Sequence, residues 1–104
     1  MKQFDVYVNE NSESSDVYPF LIILQNVLLN HLETIVVAPI ALSIIFISAL
    51  PKITKTTEVL GKTAVILPHF MSTIQKNELK QFVENKEDLH YDIISAIDVI
   101  FTGF

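Results

Sequence analysis

The sequence predicts an α+β fold, mainly β, in which several short strands precede one C-terminal helix, as in a small barrel. Two observations lead to this prediction. Short runs of β-branched and apolar residues, separated by Pro, Gly or polar stretches, fill the first three quarters of the chain. The last seventeen residues, 88–104, change to a helical period. A length of 104 residues fits a single domain, 1–104.

The C-terminal helix is predicted from apolar residues that recur at every fourth position: Leu89, Ile93, Ile97 and Phe101. Residues three and four apart are neighbours on a helix surface, so we expect this set to anchor the helix to the sheet, with Ile100 beside it and Ala96 permitting close approach. For Phe104 the residues alone leave two roles open, completing the core or contacting a partner.

The two ends of the helix also carry signals. Asn85 can cap the first turn, where the negative charges of Glu87 and Asp88 favour the helix dipole. Gly103 lies where a helix usually ends, because glycine adopts the left-handed conformation at no steric cost.

The first half of the chain contains three predicted strands. Gln3–Val8 alternates large and polar side chains, Tyr18–Leu24 begins next to Pro19 and is apolar, and Thr34–Ile40 is β-branched and suited to the centre of a sheet. Between them, Asn9–Asp16 is polar and predicts a mobile loop with nothing to bury. Gln25–Glu33 predicts a turn with some helical character.

The second half contains shorter elements. Pro51–Thr57 predicts a link or an edge strand, and Glu58–Leu67 predicts two strands joined by a turn at Gly61-Lys62. His69–Ile74 is compatible with a short strand or a turn, and Gln75–Glu84 with a short helix or a strand.

Charge and composition restrict the function. The chain has a net charge of −5, with twelve acidic residues, seven lysines and no arginine, so we expect no sequence-specific nucleic-acid binding. It has no cysteine, which excludes disulfides, thiol nucleophiles and thiolate metal sites. We expect a cytoplasmic protein, because the N-terminal residues do not form a signal peptide.

One apolar stretch raises the alternative of a membrane-inserting segment. Ile35–Leu50 has sixteen residues without a charge. This is shorter than the ~20 residues that a spanning helix needs, and Pro39 lies inside it. The sequence therefore favours buried strands or a short buried helix over a membrane segment.

No catalytic or metal-binding pattern stands out, so we predict neither an enzyme nor a cofactor. His31, His69 and His90 lack the spacing of a zinc site, and no serine lies in a nucleophile motif. Gly61-Lys62-Thr63 matches the end of a phosphate-binding loop, but position 56, where the first glycine belongs, is Thr56. We interpret this match as accidental.

The order of several short motifs resembles the CcdB family, toxins of plasmid-maintenance toxin–antitoxin modules. The resemblance rests on Gln3–Tyr7, on Leu24-Gln25 followed by Leu28-Leu29, and on Val36–Ile40. It rests most on the end of the chain, where Ile93, Ala96, Ile97, Phe101, Gly103 and Phe104 keep the spacing of the family.

This resemblance implies an SH3-like small β-barrel of the CcdB/MazF type with a C-terminal helix, and a homodimer. It implies binding to the A subunit of DNA gyrase, which is held in its cleaved-DNA state, and neutralisation by a CcdA-like antitoxin. The positions that contact gyrase in the family correspond here to Leu28, Leu29, Asp98, Thr102, Gly103 and Phe104.

The sequence departs from the family at three of these positions. Thr102 stands where the family has tryptophan, Asp98 replaces a typical asparagine, and Phe104 replaces isoleucine. Loss of a large aromatic anchor can cost a few kcal/mol at a binding hot spot. Two alternatives therefore stay open: a homologue with weakened or lost gyrase poisoning, and an endoribonuclease toxin with the same barrel.

Overall fold

The computed structural model describes residues 1–26, 31–42 and 52–103. Within these ranges the elements are seven strands and one α-helix: β1 Asp5–Val8, β2 Phe20–Ile23, β3 Thr34–Ala41, β4 Lys55–Val59, β5 Lys62–Ile66, β6 Ser72–Gln75, β7 Phe82–Asn85 and α1 His90–Thr102. Short 3-10 turns at Pro68–Phe70, Lys76–Glu78 and Glu87–Leu89 precede β6, β7 and α1. The predicted order of strands followed by one terminal helix is confirmed.

The described strands form one antiparallel sheet in the order β4-β5-β3-β2-β1-β7. Strand β3 is central, as predicted, and it pairs with β2 along one edge, for example Phe20 with Ile40. Its other edge is shared, because β6 pairs with the first half of β3 and β5 with its end. This shared edge makes the sheet curl into a half-barrel.

The core lies between one face of the sheet and α1. Alternate residues of a strand point to opposite faces, so Val6, Ile22 and Ile40 meet on the face that packs against Ile93 of the helix. A second apolar cluster lies on the opposite face: Ile23, Ile35, Val37 and Leu79. Leu79 comes from the segment between β6 and β7, which therefore covers part of that face.

The loop predicted at Asn9–Asp16 contains a buried residue, so the expectation that it has nothing to bury is wrong. Asn9 is buried, and its side-chain amide donates hydrogen bonds to the Ser14 hydroxyl at 3.0 Å and to the Tyr18 carbonyl at 2.8 Å. A buried amide is stable only with such partners. These bonds tie the loop to the start of β2.

The remaining predictions for the strands hold with small shifts. Lys55–Val59 is the edge strand predicted within Pro51–Thr57, although it extends two residues further. The turn between β4 and β5 lies at Leu60-Gly61 rather than at Gly61-Lys62, since Val59 pairs with Lys62.

The apolar stretch Ile35–Leu50 begins inside the sheet, since Ile35–Ala41 belongs to β3. Residues 43–50 lie outside the described residues. Among the helices that the structure describes, none is long and apolar enough to cross a membrane.

Helix α1 is positioned by signals at both ends. The Asn85 carboxamide oxygen accepts a hydrogen bond from the Glu87 N–H at 2.8 Å, at the start of the 3-10 turn that leads into α1, but Asn85 is the N-cap of neither the turn nor α1. The α-helix begins at His90, two residues after the predicted start. It ends as predicted at Gly103, which has a φ of 81° and donates its N–H to the Val99 carbonyl at 2.9 Å.

Candidate functional site

The final turns of α1 bring three of the predicted site residues together. Asp98, Thr102 and Gly103 are all exposed. Asp98 and Thr102 are four apart on the helix, and the Thr102 hydroxyl donates a hydrogen bond to the Asp98 carbonyl at 2.6 Å. The other three predicted residues, Leu28, Leu29 and Phe104, lie outside the described residues.

Phe101 does not anchor the helix, so that prediction is wrong. Its side chain is 72% exposed, whereas Ile93 and Ala96 are buried and Leu89 and Ile97 are partly covered. A helix has about 3.6 residues per turn, so a repeat of four drifts around the axis by about 40° at each step. The second step from Ile93 therefore carries Phe101 away from the sheet.

The exposed Phe101 is a site residue that the sequence interpretation missed. It lies between Asp98 and Thr102 on the last turn and adds an apolar ring to an otherwise polar helix end. A large exposed aromatic beside polar groups is typical of a surface that binds a partner. The signal that could have found it is the helical period itself, because Ile100, seven residues after Ile93, stays on the buried side.

The 3-10 turn Pro68–Phe70 packs against α1 and exposes a second aromatic ring. Phe70 is 46% exposed and makes edge contacts with Tyr18, with ring centroids 6.3 Å apart. The His69 ring lies 4.0 Å from the Phe70 ring, and its Nδ1 atom is buried with no hydrogen-bond partner among the described residues. Burial lowers the pKa of His69 below its ordinary value of 6.5.

A groove of about 860 Å³ lies on the sheet face opposite α1. Its floor is apolar and comes from neighbouring strands: Leu21, Val37, Pro39 and Ile74. Its rim is polar, with Glu10 and Asn11 at one end and Glu78 and Lys80 at the other. Sequence patterns did not indicate this groove, because its walls come from segments far apart in the chain.

The histidines do not form a metal site. His31 is exposed, His69 packs on Phe70, and the His90 ring contacts the buried Phe4 ring edge-on at 5.2 Å. Within the described ranges no three His, Asp or Glu side chains are grouped closely enough to hold a metal ion. Gly61 lies in the β4–β5 turn, and Lys62 and Thr63 begin strand β5 rather than a helix, so the phosphate-loop match is accidental.

Comparison with protein families settles the relationship. The family model described as CcdB protein matches residues 3–103, nearly the whole chain. The chain belongs to the CcdB family of toxin–antitoxin toxins. No curated protein matches this CcdB-family chain.

Solved structures confirm the fold that the resemblance implied. An endoribonuclease in complex with its cognate antitoxin, from mycobacterial species, has a TM-score of 0.76 at 16% identity, covering 96% of this chain and 93% of its own. The Mycobacterium tuberculosis toxin MazF-mt6 has a TM-score of 0.70 at 18% identity, covering 93% and 95%. At such identities the likeness establishes the fold alone, a small CcdB/MazF-type barrel with a C-terminal helix.

Proposed function

We propose that this CcdB-family chain is a toxin that binds the A subunit of DNA gyrase and holds it in its cleaved-DNA state. A CcdA-like antitoxin is the second proposed partner. Membership of the family supports this proposal, as does the exposed end of α1.

One observation carries the proposal. The last turn of α1 exposes Asp98, Phe101, Thr102 and Gly103 together, while the buried face of the same helix holds it on the sheet. A rigid helix that presents an aromatic ring and polar groups at its end is suited to docking on another protein. Gly103 adds exposed main chain, because glycine has no side chain of its own.

Phe101 offers an exposed aromatic ring next to Thr102, which occupies the position where the family has tryptophan. Thr102 turns its hydroxyl back to the Asp98 carbonyl, so its polar group is satisfied within the helix. Phe101, the preceding residue, supplies an exposed ring of the kind that dominates many interfaces. We therefore favour retained gyrase binding over the alternative of lost poisoning.

We propose that the chain acts by binding rather than by catalysis. An RNA-cleaving site gains much from an arginine that stabilises the charge on phosphate in the transition state, and this chain has none. The endoribonuclease alternative is therefore the weaker one.

A homodimer is part of the proposal. Phe70, on the turn that packs against α1, is an apolar group that a monomer leaves in water. A second copy of the chain would shield such groups. Light scattering at micromolar concentration gives the mass directly, and a monomeric mass would contradict this part.

The direct test is a supercoiling and DNA-cleavage assay with gyrase from the same source. We expect loss of supercoiling and accumulation of cleaved DNA at micromolar protein. If neither inhibition nor trapped cleavage appears, the gyrase proposal is wrong. Incubation with total RNA runs in parallel, and degradation of that RNA without an effect on gyrase would favour the endoribonuclease.

A further inference from the structure

The β4–β5 hairpin ends in a leucine whose backbone conformation and exposure are both unfavourable. Leu60 has a φ of 53°, a left-handed value at which a side chain crowds the main chain, and Gly61 follows with a φ of 76°. The Leu60 side chain is 66% exposed, more than any other large apolar side chain outside α1 in the part of the chain that the structure describes. A strained residue that adds little to the core is typical of a site of contact with another molecule.

The tip of this hairpin, residues 60–62, stands clear of the rest of the molecule. All three residues are exposed, and no atom beyond the chain neighbours of Gly61 lies within 4 Å of a Cβ added there. The Lys62 ammonium lies within 4.0 Å of no carboxylate among the described residues, whereas Lys55 pairs with Asp92 at 3.1 Å. The hairpin tip therefore presents an apolar side chain together with an unpaired positive charge.

The groove on the sheet face opposite α1 has the complementary chemistry. It has a volume of about 860 Å³, and the 46% exposed Phe70 lines it next to an apolar floor. The floor residues come from three strands: Leu21, Val37, Pro39 and Ile74. The charged groups on the rim are Glu10, Glu78 and Lys80. The Glu78 carboxylate accepts the Gln75 N–H at 2.9 Å, whereas the Glu10 carboxylate forms no ion pair with a described residue.

We propose that the hairpin tip of one copy of this chain docks in the groove of a second copy. Leu60 then lies on the apolar floor beside Phe70, and Lys62 lies next to Glu10. The inference rests on the proposed homodimer and names its contact surfaces. The tip and the groove are separate surfaces, so each copy offers both, and a dimer with two-fold symmetry forms the contact twice.

Hydrophobic burial gives this contact its affinity, and the charges give it direction. Removing the Leu60 side chain from water is favourable and opposes the cost of its left-handed backbone. An exposed ion pair such as Lys62 with Glu10 adds little energy, but it fixes the orientation of the tip in the groove. A nucleic acid is a poor occupant of the same groove, because Glu10 and Glu78 repel phosphate.

Sedimentation velocity of the purified chain tests the contact, from about 2 to about 200 µM protein in about 50 mM salt, where ion pairs are little screened. We expect the wild type to dimerise, and Leu60→Asn to raise the dissociation constant of the dimer about tenfold or more. The melting temperature of dilute Leu60→Asn should not fall, because asparagine tolerates the left-handed conformation. Leu32→Asn is the matched control, since Leu32 is also exposed but does not line the groove, and it should dimerise like the wild type.

Charge reversal tests the pairing of Lys62 with Glu10. Lys62→Glu and Glu10→Lys should each weaken the dimer about threefold or more, and the double variant should restore an affinity close to that of the wild type. A Leu60→Asn variant that dimerises like the wild type would overturn the inference and leave the homodimer intact, as would a double reversal no tighter than the single ones. A wild type that stays monomeric at every concentration would show that both the homodimer and the inference are wrong, and would leave the groove to a peptide of another protein.

Discussion

At the scale of single residues, Ile93 and Phe101 show how position on α1 separates structural from binding roles. Both are large apolar residues of the same predicted stripe, but Ile93 is fully buried and Phe101 is 72% exposed. The stability of the fold should therefore depend on the first and binding on the second.

Replacing Ile93 with alanine should lower the free energy of unfolding by about 2–4 kcal/mol, because it leaves a cavity in the core. Phe101→Ala should lower it by less than about 1 kcal/mol, as is usual for an exposed side chain. Urea denaturation of both variants checks this. A loss at Phe101 as large as that at Ile93 would mean that Phe101 is buried in the protein in solution, for instance in a dimer.

His69 makes the stability depend on pH. Burial holds its folded pKa below 6.5, so the unfolded chain binds a proton more readily than the folded one. The contribution of His69 is fully present above the unfolded pKa of about 6.5 and is lost as the pH falls toward the lower folded value. We expect the unfolding free energy of the wild type, relative to that of His69→Gln, to fall between pH 7.5 and pH 5. A constant difference would contradict the cause assigned to this shift.

Among the structural elements, the β4–β5 turn holds a leucine in a backbone conformation that leucine disfavours. Leu60 and Gly61 both have positive φ, 53° and 76°, as in the two-residue turns that join hairpin strands. Asparagine tolerates this conformation far better than leucine. Leu60→Asn should therefore raise the free energy of unfolding by about 0.5–1 kcal/mol, measured by thermal melting.

Gly61→Ala tests the same turn in the opposite direction, because it should lower the free energy of unfolding. Nothing lies within 4 Å of a Cβ added at Gly61, so any loss comes from the backbone conformation alone. We expect a loss of about 1 kcal/mol. A stabilised Gly61→Ala variant would show that the turn has another conformation.

Asn85 joins three elements. Its carboxamide oxygen accepts the Glu87 N–H at the start of the turn before α1, and its nitrogen donates to the Asp5 carboxylate at 2.9 Å and to the Gln3 carbonyl at 3.1 Å. Asp5 is itself buried, so losing this donor leaves part of a carboxylate unsatisfied. Asn85→Ala should cost about 1–3 kcal/mol in chemical denaturation. Asn77→Ala, an exposed control, should cost less than about 0.5 kcal/mol.

Local rules explain which elements could be predicted. Gly103 and Asn85 act through their immediate neighbours, so the sequence located both ends of the helical segment to within about two residues. The exposure of Phe101 follows from the 3.6-residue helical period, which a strict repeat of four overlooks, whereas the burial of Asn9 depends on a contact with another segment. One partner of the buried Asn9 amide, the Tyr18 carbonyl, lies just before β2, the strand that pairs with β1.

Across the molecule, the fold and the candidate site depend on different kinds of residue. The curled sheet and terminal helix follow from short β-branched runs and one apolar stripe, which many sequences can satisfy. The candidate site depends on a few exposed residues whose roles no periodicity encodes. The resemblance at the end of the chain pointed to Asp98, Thr102 and Gly103, and the structure places these three on one exposed surface.

The end of α1 is the surface proposed to bind gyrase A. The measurement that decides this is the affinity of gyrase A for the full chain and for a chain that ends at Ile100. Phe101, Thr102 and Gly103 are exposed, so the shortened chain should keep its stability within about 1 kcal/mol. We predict that its Kd for gyrase A rises about 30-fold or more, as for loss of an interface hot spot. An unchanged Kd would contradict the account, because gyrase would then bind elsewhere on the molecule.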